Sequence, residues 1–250
     1  MKGEFNDIDK AESMLKTLRS RGIEKINFAG GEPLLYKNLN YLLEMAKHMR
    51  FTVSIVTNAS LLNKKNIQEL AAYVDWVGIS VDSADERIEK ELGRGYGKHV
   101  EHARVVSKLV HEHDMKLKIN TTVMKLNYSE DMRKFIASVS PERWKVFQFI
   151  HMKGQNDDAI DLAITKEKFE KFKEINGNLM LKNGTSPVFE ANSDMLDSYL
   201  IIGTDGNIIM SRNNERSVLP FASINTLDLS DIVDIDKYCE RKAVYDWNGN

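Results

Sequence analysis

Cysteine is nearly absent from this chain. Cys239 is the single one in 250 residues. One thiol forms no intrachain disulfide, and one thiolate cannot by itself build a zinc or iron–sulfur site. Long apolar runs are missing too. Nothing approaches the roughly 18 apolar residues of a membrane span. The opening MKGEFNDIDK is polar and acidic, unlike a signal peptide. A cytoplasmic location is therefore expected, with no membrane partner. Charge of one sign is also lacking. The formal net charge of -2 argues against a broad nucleic-acid face while leaving room for a local basic pocket. The six histidines show no metal-ligand spacing. His111 and His113 are two apart in a helical stretch and point in different directions. All six are expected at the surface, and no serine–histidine–aspartate arrangement stands out.

What is present is an ordinary globular composition, 42% hydrophobic and 29% charged. The length suits one large domain or two small ones. A strand–helix alternation runs through the first 150 residues. From Asn6 to Arg21, Ile8, Ala11, Met14, Leu15 and Leu18 follow helical spacing, and Gly22 fits a helix end. KINFAGG reads as a buried strand entering a glycine turn. Helical spacing returns at 39–49, at 63–73 with Asn63 as its cap, at 98–113, and from a Ser129 cap to the Ser140–Pro141 turn. FTVSIVTN, DWVGISVDS, KLKINTTVM and WKVFQFI read as further strands, rich in β-branched residues. Five strands alternating with helices imply parallel βαβ units. Trp76 and Trp144, within strands, are expected in the core.

Beyond Gly154 the rhythm changes. Residues 155–161 read as a polar loop, 165–175 as a helix, and 197–210 as a hairpin around Thr-Asp-Gly-Asn. The last forty residues read as irregular and polar, with one short helix at 230–241. The expected organisation is a parallel α/β body, 1–154, followed by an α+β extension, 155–250, that completes and covers the site.

In parallel α/β folds, sites form at the carboxyl ends of the strands. The residues found there are Gly30, Gly31 and Glu32; Thr57, Asn58 and Ser60; and Ser80, Asp82 and Ser83. Lys118 and Asn120 are two apart and share one strand face, as do Arg143 and Lys145. Three cations and an amide converging on one place suit a polyphosphate. Partly exposed strands with solvated charges satisfy the same pattern. GGEP has two readings as well. It is either a ligand-approaching glycine turn with a carboxylate acceptor, or a plain turn in which Glu32 and Pro33 start a helix. Gly93–His99, GRGYGKH, follows no strand and lacks a lysine–serine ending, which argues against a nucleotide P-loop.

KINFAGGEPLL resembles the GGEP segment of radical SAM proteins. SIVTNAS, GISVDS, GRGYGKHV, KLKINTTVMKLNYSEDM, PERWKVFQ and DMLDSYLII, in this order, are similar to viperin-like nucleotide dehydratases of that superfamily over about residues 8–202. The resemblance implies a partial (β/α)6 barrel of the TIM type. It also implies a [4Fe–4S] cluster, S-adenosylmethionine, and an electron donor such as a flavodoxin or ferredoxin. The reaction it implies is a lyase-type dehydration of a ribonucleoside triphosphate, CTP above others, to its 3′-deoxy-3′,4′-didehydro analogue in antiviral defence. By motif, Gly30, Gly31, Glu32, Asn58, Ser80 and Arg94 would hold S-adenosylmethionine. Lys118, Asn120, Arg143 and Lys145 would hold the triphosphate, and Tyr199 would line the substrate site.

The family's CxxxCxxC motif lies on the loop after its first strand, and this sequence contains no such motif. The first strand and cluster loop of the family pattern are expected to be missing, through truncation. The alternative is a catalytically dead relative that binds only nucleotide or S-adenosylmethionine. A different radical SAM activity such as peptide maturation would need further cysteines.

Overall fold

A computed structural model describes residues 8–151, 156–212 and 215–241. The chain divides into two compact units. One comprises residues up to 26, then 37–53, and everything from 193 onward; the other comprises 27–36 and 54–192.

Along the chain the elements run α1 (Ile8–Ser20), β1 (Lys25–Phe28), α2 (Leu39–His48), β2 (Thr52–Thr57), α3 (Lys64–Leu70), β3 (Trp76–Ser80), α4 (Glu86–Glu91), α5 (His99–Glu112) and β4 (Lys116–Val123). Then come α6 (Arg133–Val139), β5 (Arg143–Gln148), α7 (Lys166–Asn176), β6 (Val188–Glu190) and α8 (Asn192–Met195). The last are β7 (Ile201–Ile202), β8 (Ile208–Arg212), β9 (Glu215–Leu219), α9 (Leu229–Ile232) and α10 (Ile235–Glu240). β1 to β6 form one sheet in sequential order. The pairings from β2 through β6 are all parallel, as the alternation implied. β7, β8 and β9 form a second, antiparallel sheet.

The two faces of the main sheet differ sharply. Val77, Ile79, Leu117, Ile119, Trp144 and Val146 share one face by register and are fully buried. Trp144 meets Phe172 of α7 edge-on at 6.3 Å and donates from Nε1 to Thr121 Oγ1 at 3.0 Å. The burial of the indole is thus complete without orphaning its N–H. The opposite face carries Gly78, Ser80, Lys118, Asn120, Arg143 and Lys145.

Several sequence expectations need correction. A sixth strand, β6, joins the sheet; three residues are too short to register as a pattern. α4 was not anticipated, because ERIEKE presents almost no apolar stripe. α6 begins at Arg133, with Met132 as cap rather than Ser129. Residues 157–162 form a 3-10 helix, not a loop. The described part of the final segment is not irregular, since β9, a 3-10 turn, α9 and α10 occupy most of residues 215–241, with two short helices where one was expected. His99 is 7% exposed rather than on the surface. Other expectations match: Asn63 caps α3, accepting from the N–H of Lys65 at 3.0 Å and of Asn66 at 3.2 Å, and the hairpin at 197–210 is present as β7 and β8. The expected helix start at Asn6, the opening MKGEFND and the 154/155 boundary lie outside the described residues.

Candidate functional site

The cationic strand face lies within the second unit and is set by register. Lys118 on β4 pairs with Arg143 on β5, and Asn120 with Lys145 one row further along. Gly78 and Ser80 on β3 sit beside Lys118 and Asn120 in the same rows. Lys118, Arg143 and Lys145 are each only 8% exposed. That removes the alternative of solvated charges on an open strand face. The sheet brings together what the sequence spread over thirty residues.

Gly78 makes this crowding possible. A Cβ at this position would lie 2.9 Å from Val56 Cγ2 and 3.0 Å from Lys118 Cε. Any side chain there would push against the stem of Lys118, so glycine is what lets the lysine lie across β3.

Buried cations need partners. Lys145 Nζ lies 2.5 Å from Glu190 Oε1, and that carboxylate is completely buried at the end of β6. Lys145 is also 4.9 Å above the Phe147 ring. Its charge is therefore locally balanced, and Lys118 and Arg143 add two further buried cations in the row below. The Asn120 Oδ1 atom is buried without a hydrogen-bond partner among the described residues. An unpaired buried acceptor is costly, and a ligand donor would relieve it.

Glu32 marks a second cluster in the same unit. Its Oε1 accepts from Thr57 Oγ1 at 2.7 Å and from the Leu34 N–H at 3.1 Å, and its Oε2 accepts from the Asn58 N–H at 2.9 Å. Glu32 also precedes Pro33 as the cap of a 3-10 turn. Glu32 thus starts a turn as the capping reading has it, and the same contacts fix its carboxylate beside Asn58 without deciding the ligand reading. Gly30 and Gly31 are exposed, and Gly30 has a φ of +103, which only glycine adopts without strain. The Asn58 side chain accepts from the Ser60 N–H at 2.9 Å.

Ser80 ends β3, and its carbonyl oxygen is 2.9 Å from His99 Nε2. Burial holds the His99 imidazole below its ordinary pKa. Arg94 forms an ion pair through Nε with Asp82, just past Ser80. Tyr199 belongs to the first unit, where the Arg241 guanidinium stacks 3.8 Å above its ring and donates to the Ser198 carbonyl at 2.8 Å. Asp82 stands at a strand end in the sequence but carries no role there, and Glu89 and Glu190 carry no sequence signal of a site. Glu89 sits in a helix that reads as a solvated charge run, and only its burial reveals it.

Among the described residues no group of three or more histidine, cysteine, aspartate or glutamate side chains is placed to hold a metal. Cys239 is exposed on α10. No helix among the described residues is long and apolar enough to cross a membrane.

The model of the Radical SAM superfamily matches residues 1–139. An S-adenosylmethionine-dependent nucleotide dehydratase from a Thermoplasmatales archaeon is 38% identical over 234 residues, which is 93% of this chain and 83% of that protein. A protein of the same name from Lacinutrix mariniflava is 36% identical over 97% of this chain, which spans 52% of that relative. The S-adenosylmethionine-dependent nucleotide dehydratase RSAD2 of Oncorhynchus mykiss is 30% identical over 94% of this chain and 69% of its own. Among solved structures, Streptococcus suis SuiB bound to S-adenosylmethionine superposes with a TM-score of 0.63 at 18% identity, covering 93% of this chain and 60% of that one. Native anSMEcpe with bound AdoMet and Kp18Cys peptide gives 0.62 at 14% identity, covering 92% and 73%. These two show the partial barrel fold. The chain belongs to the radical SAM superfamily, in the group of its relatives named S-adenosylmethionine-dependent nucleotide dehydratases.

Proposed function

We propose that this chain carries the ligand-binding part of a radical SAM nucleotide dehydratase, taking a ribonucleoside triphosphate, CTP first, with S-adenosylmethionine. The observation that supports this most is the pair of buried, in-register rows Lys118–Arg143 and Asn120–Lys145. A triphosphate carries up to four negative charges, and a desolvated cation row binds it by charge-assisted hydrogen bonds. In this reading Lys118 and Arg143 hold the phosphates. Glu190 keeps Lys145 in place at the upper row, and Asn120 offers its amide to the nucleotide. In a family enzyme that also holds the cluster, the product would be the 3′-deoxy-3′,4′-didehydro nucleotide of antiviral defence, with a flavodoxin or ferredoxin as electron donor.

The residues present fit the amino-acid end of S-adenosylmethionine. Gly30 and Gly31 leave open backbone, Glu32 supplies a fixed carboxylate for the methionine amine, and Asn58, Ser80 and Arg94 supply polar contacts to the carboxylate and ribose. Bound S-adenosylmethionine supplies, in the family reaction, the carbon that takes the 4′ hydrogen of the nucleotide. The residues present do not fit a [4Fe–4S] cluster, because a cluster needs at least three thiolates and residues 1–250 contain one, exposed on α10.

Two expected results test the proposal. In calorimetric titration with CTP, Lys118→Ala and Arg143→Ala should each lose about 1.5–3 kcal/mol of binding, as charge-assisted hydrogen bonds do. Unchanged affinity in both variants removes the triphosphate assignment. After anaerobic reconstitution with iron and sulfide, the chain of 250 residues should retain no cluster absorbance and yield no 5′-deoxyadenosine, while still binding CTP. That result follows from the donor set of this stretch of sequence, and loss of CTP binding as well would count against the proposal. Stoichiometric iron uptake would overturn the argument from the donor set.

A further inference from the structure

The end of β3 is held by charged and amide side chains that nucleotide binding leaves unused. Asp82 is 2% exposed and tied at each of its polar atoms. Its N–H donates to the Glu89 carboxylate, and its carbonyl accepts from Asn127 Nδ2. Its Oδ1 accepts from the Thr122 N–H at 2.7 Å, and its Oδ2 takes the Nε–H of Arg94. Glu89 and Asn127 are themselves completely buried. A carboxylate fixed in this way cannot swing to follow its arginine. The arginine must come to it.

The atom of Arg94 that is held is Nε. A guanidinium is a rigid planar fork, so holding Nε fixes the plane and presents the terminal nitrogens on the remaining edges. A pair of such nitrogens is what binds a carboxylate bidentately. The Arg94 side chain keeps 26% of its surface exposed, so part of the fork is reachable by a ligand.

We propose that Asp82 is a positioning residue: it holds Arg94 so that the terminal guanidinium nitrogens receive the carboxylate at the methionine end of S-adenosylmethionine. This rests on the reading of Arg94 as a contact of that ligand. Glu89 and Asn127 act one step further back by fixing the Asp82 backbone. Thr122 ties the same carboxylate to β4, two residues beyond Asn120.

The test is calorimetry on the full chain with two ligands: S-adenosylmethionine, and 5′-methylthioadenosine, which lacks the amino-acid end. Arg94→Ala and Asp82→Asn should each weaken S-adenosylmethionine about tenfold or more, the effect of a lost charge-assisted contact. Both should leave methylthioadenosine within about twofold, and the double variant should bind no worse than Arg94→Ala within about twofold, since coupled residues are not additive. Asp82→Asn retains an oxygen for the Thr122 N–H, so the strand ends stay joined. Should it nevertheless unfold, Arg94→Lys decides: it keeps a charge beside Asp82 but has no fork, and an unchanged S-adenosylmethionine affinity overturns the proposal. Equal weakening of both ligands by Asp82→Asn means general damage and also overturns it. If Arg94→Ala weakens S-adenosylmethionine and Asp82→Asn does not, positioning by Asp82 fails while the contact of Arg94 stands. If Arg94→Ala changes nothing, the contact itself is wrong and the proposal falls with it.

Discussion

Replacing Trp144 with alanine should remove about 3–5 kcal/mol of stability, the usual cost of truncating a buried tryptophan. Three effects add at this position. The indole is fully buried, so its removal returns a large apolar area and leaves a cavity in a region packed like a crystal. The edge-on contact with Phe172 of α7 is lost. The Thr121 hydroxyl, which accepts from the indole, still donates to the Val81 carbonyl at 2.7 Å, so it is not orphaned. The damage is therefore packing rather than an unsatisfied polar group, and Trp144→Phe should recover a large part of it. Because Trp144 lies between Arg143 and Lys145, the proposed triphosphate site predicts a loss of CTP affinity along with stability. Urea unfolding of the three proteins measures the order. A loss below about 1 kcal/mol for alanine would show that β5 is held by something other than this contact.

The second large effect is on pH. Glu89 has its carboxyl pushed up to about 8, chiefly by burial and then by the neighbouring Asp82 charge. The N–H groups of Ser83 and Asp82, together with Arg94, oppose this without overcoming it. The folded state thus keeps a proton that the unfolded state releases at the ordinary carboxylate value. Between about pH 4.5 and 8 the folded chain binds more protons at this site, so its contribution to stability is complete below that window and is lost as pH rises through it. The slope is at most about 1.4 kcal/mol per pH unit, so the swing is at most on the order of 5 kcal/mol. Glutamine mimics the protonated carboxyl and still accepts from two N–H groups. Glu89→Gln should therefore gain on the wild type steadily from pH 5 to 8. His99, held below its ordinary value by burial, works in the opposite direction below about pH 6.5, and its Nε2 lies 3.7 Å from Glu89 Oε2, so the difference is read between pH 6.5 and 8, where the imidazole is neutral in both proteins. Parallel stability curves for the two proteins over that range would mean that Glu89 is ionised in the fold.

Much of the architecture could be read along the chain because it is written in short-range periods. A run such as FTVSIVTN is β-branched and apolar enough to specify a buried strand, and helices returning every few residues leave few topologies besides a parallel sheet. Elements without such a period escaped. β6 is three residues long, and α4 is charged on every side, so neither has a pattern to find. The position of Ser129 illustrates a different failure: a suitable cap residue is common, and only the backbone decides which one begins the helix.

The same division runs through the site. Alternation alone put Lys118 with Asn120, and Arg143 with Lys145, on a shared face, and the rule that sites form at strand ends found Glu32, Asn58 and Ser80. The resemblance supplied their roles as expectations. Tertiary structure decided the rest. It buried the lysines, where sequence left burial and exposure equally open, by laying Lys118 across Gly78. It joined Lys145 to Glu190 and Arg94 to Asp82, pairs separated by 45 and 12 residues. Local sequence cannot choose among acidic partners so far away, because each choice depends on strand register and on which carboxylates lose their water. Periodicity is a property of neighbours in the chain; ion pairing and desolvation are properties of neighbours in space.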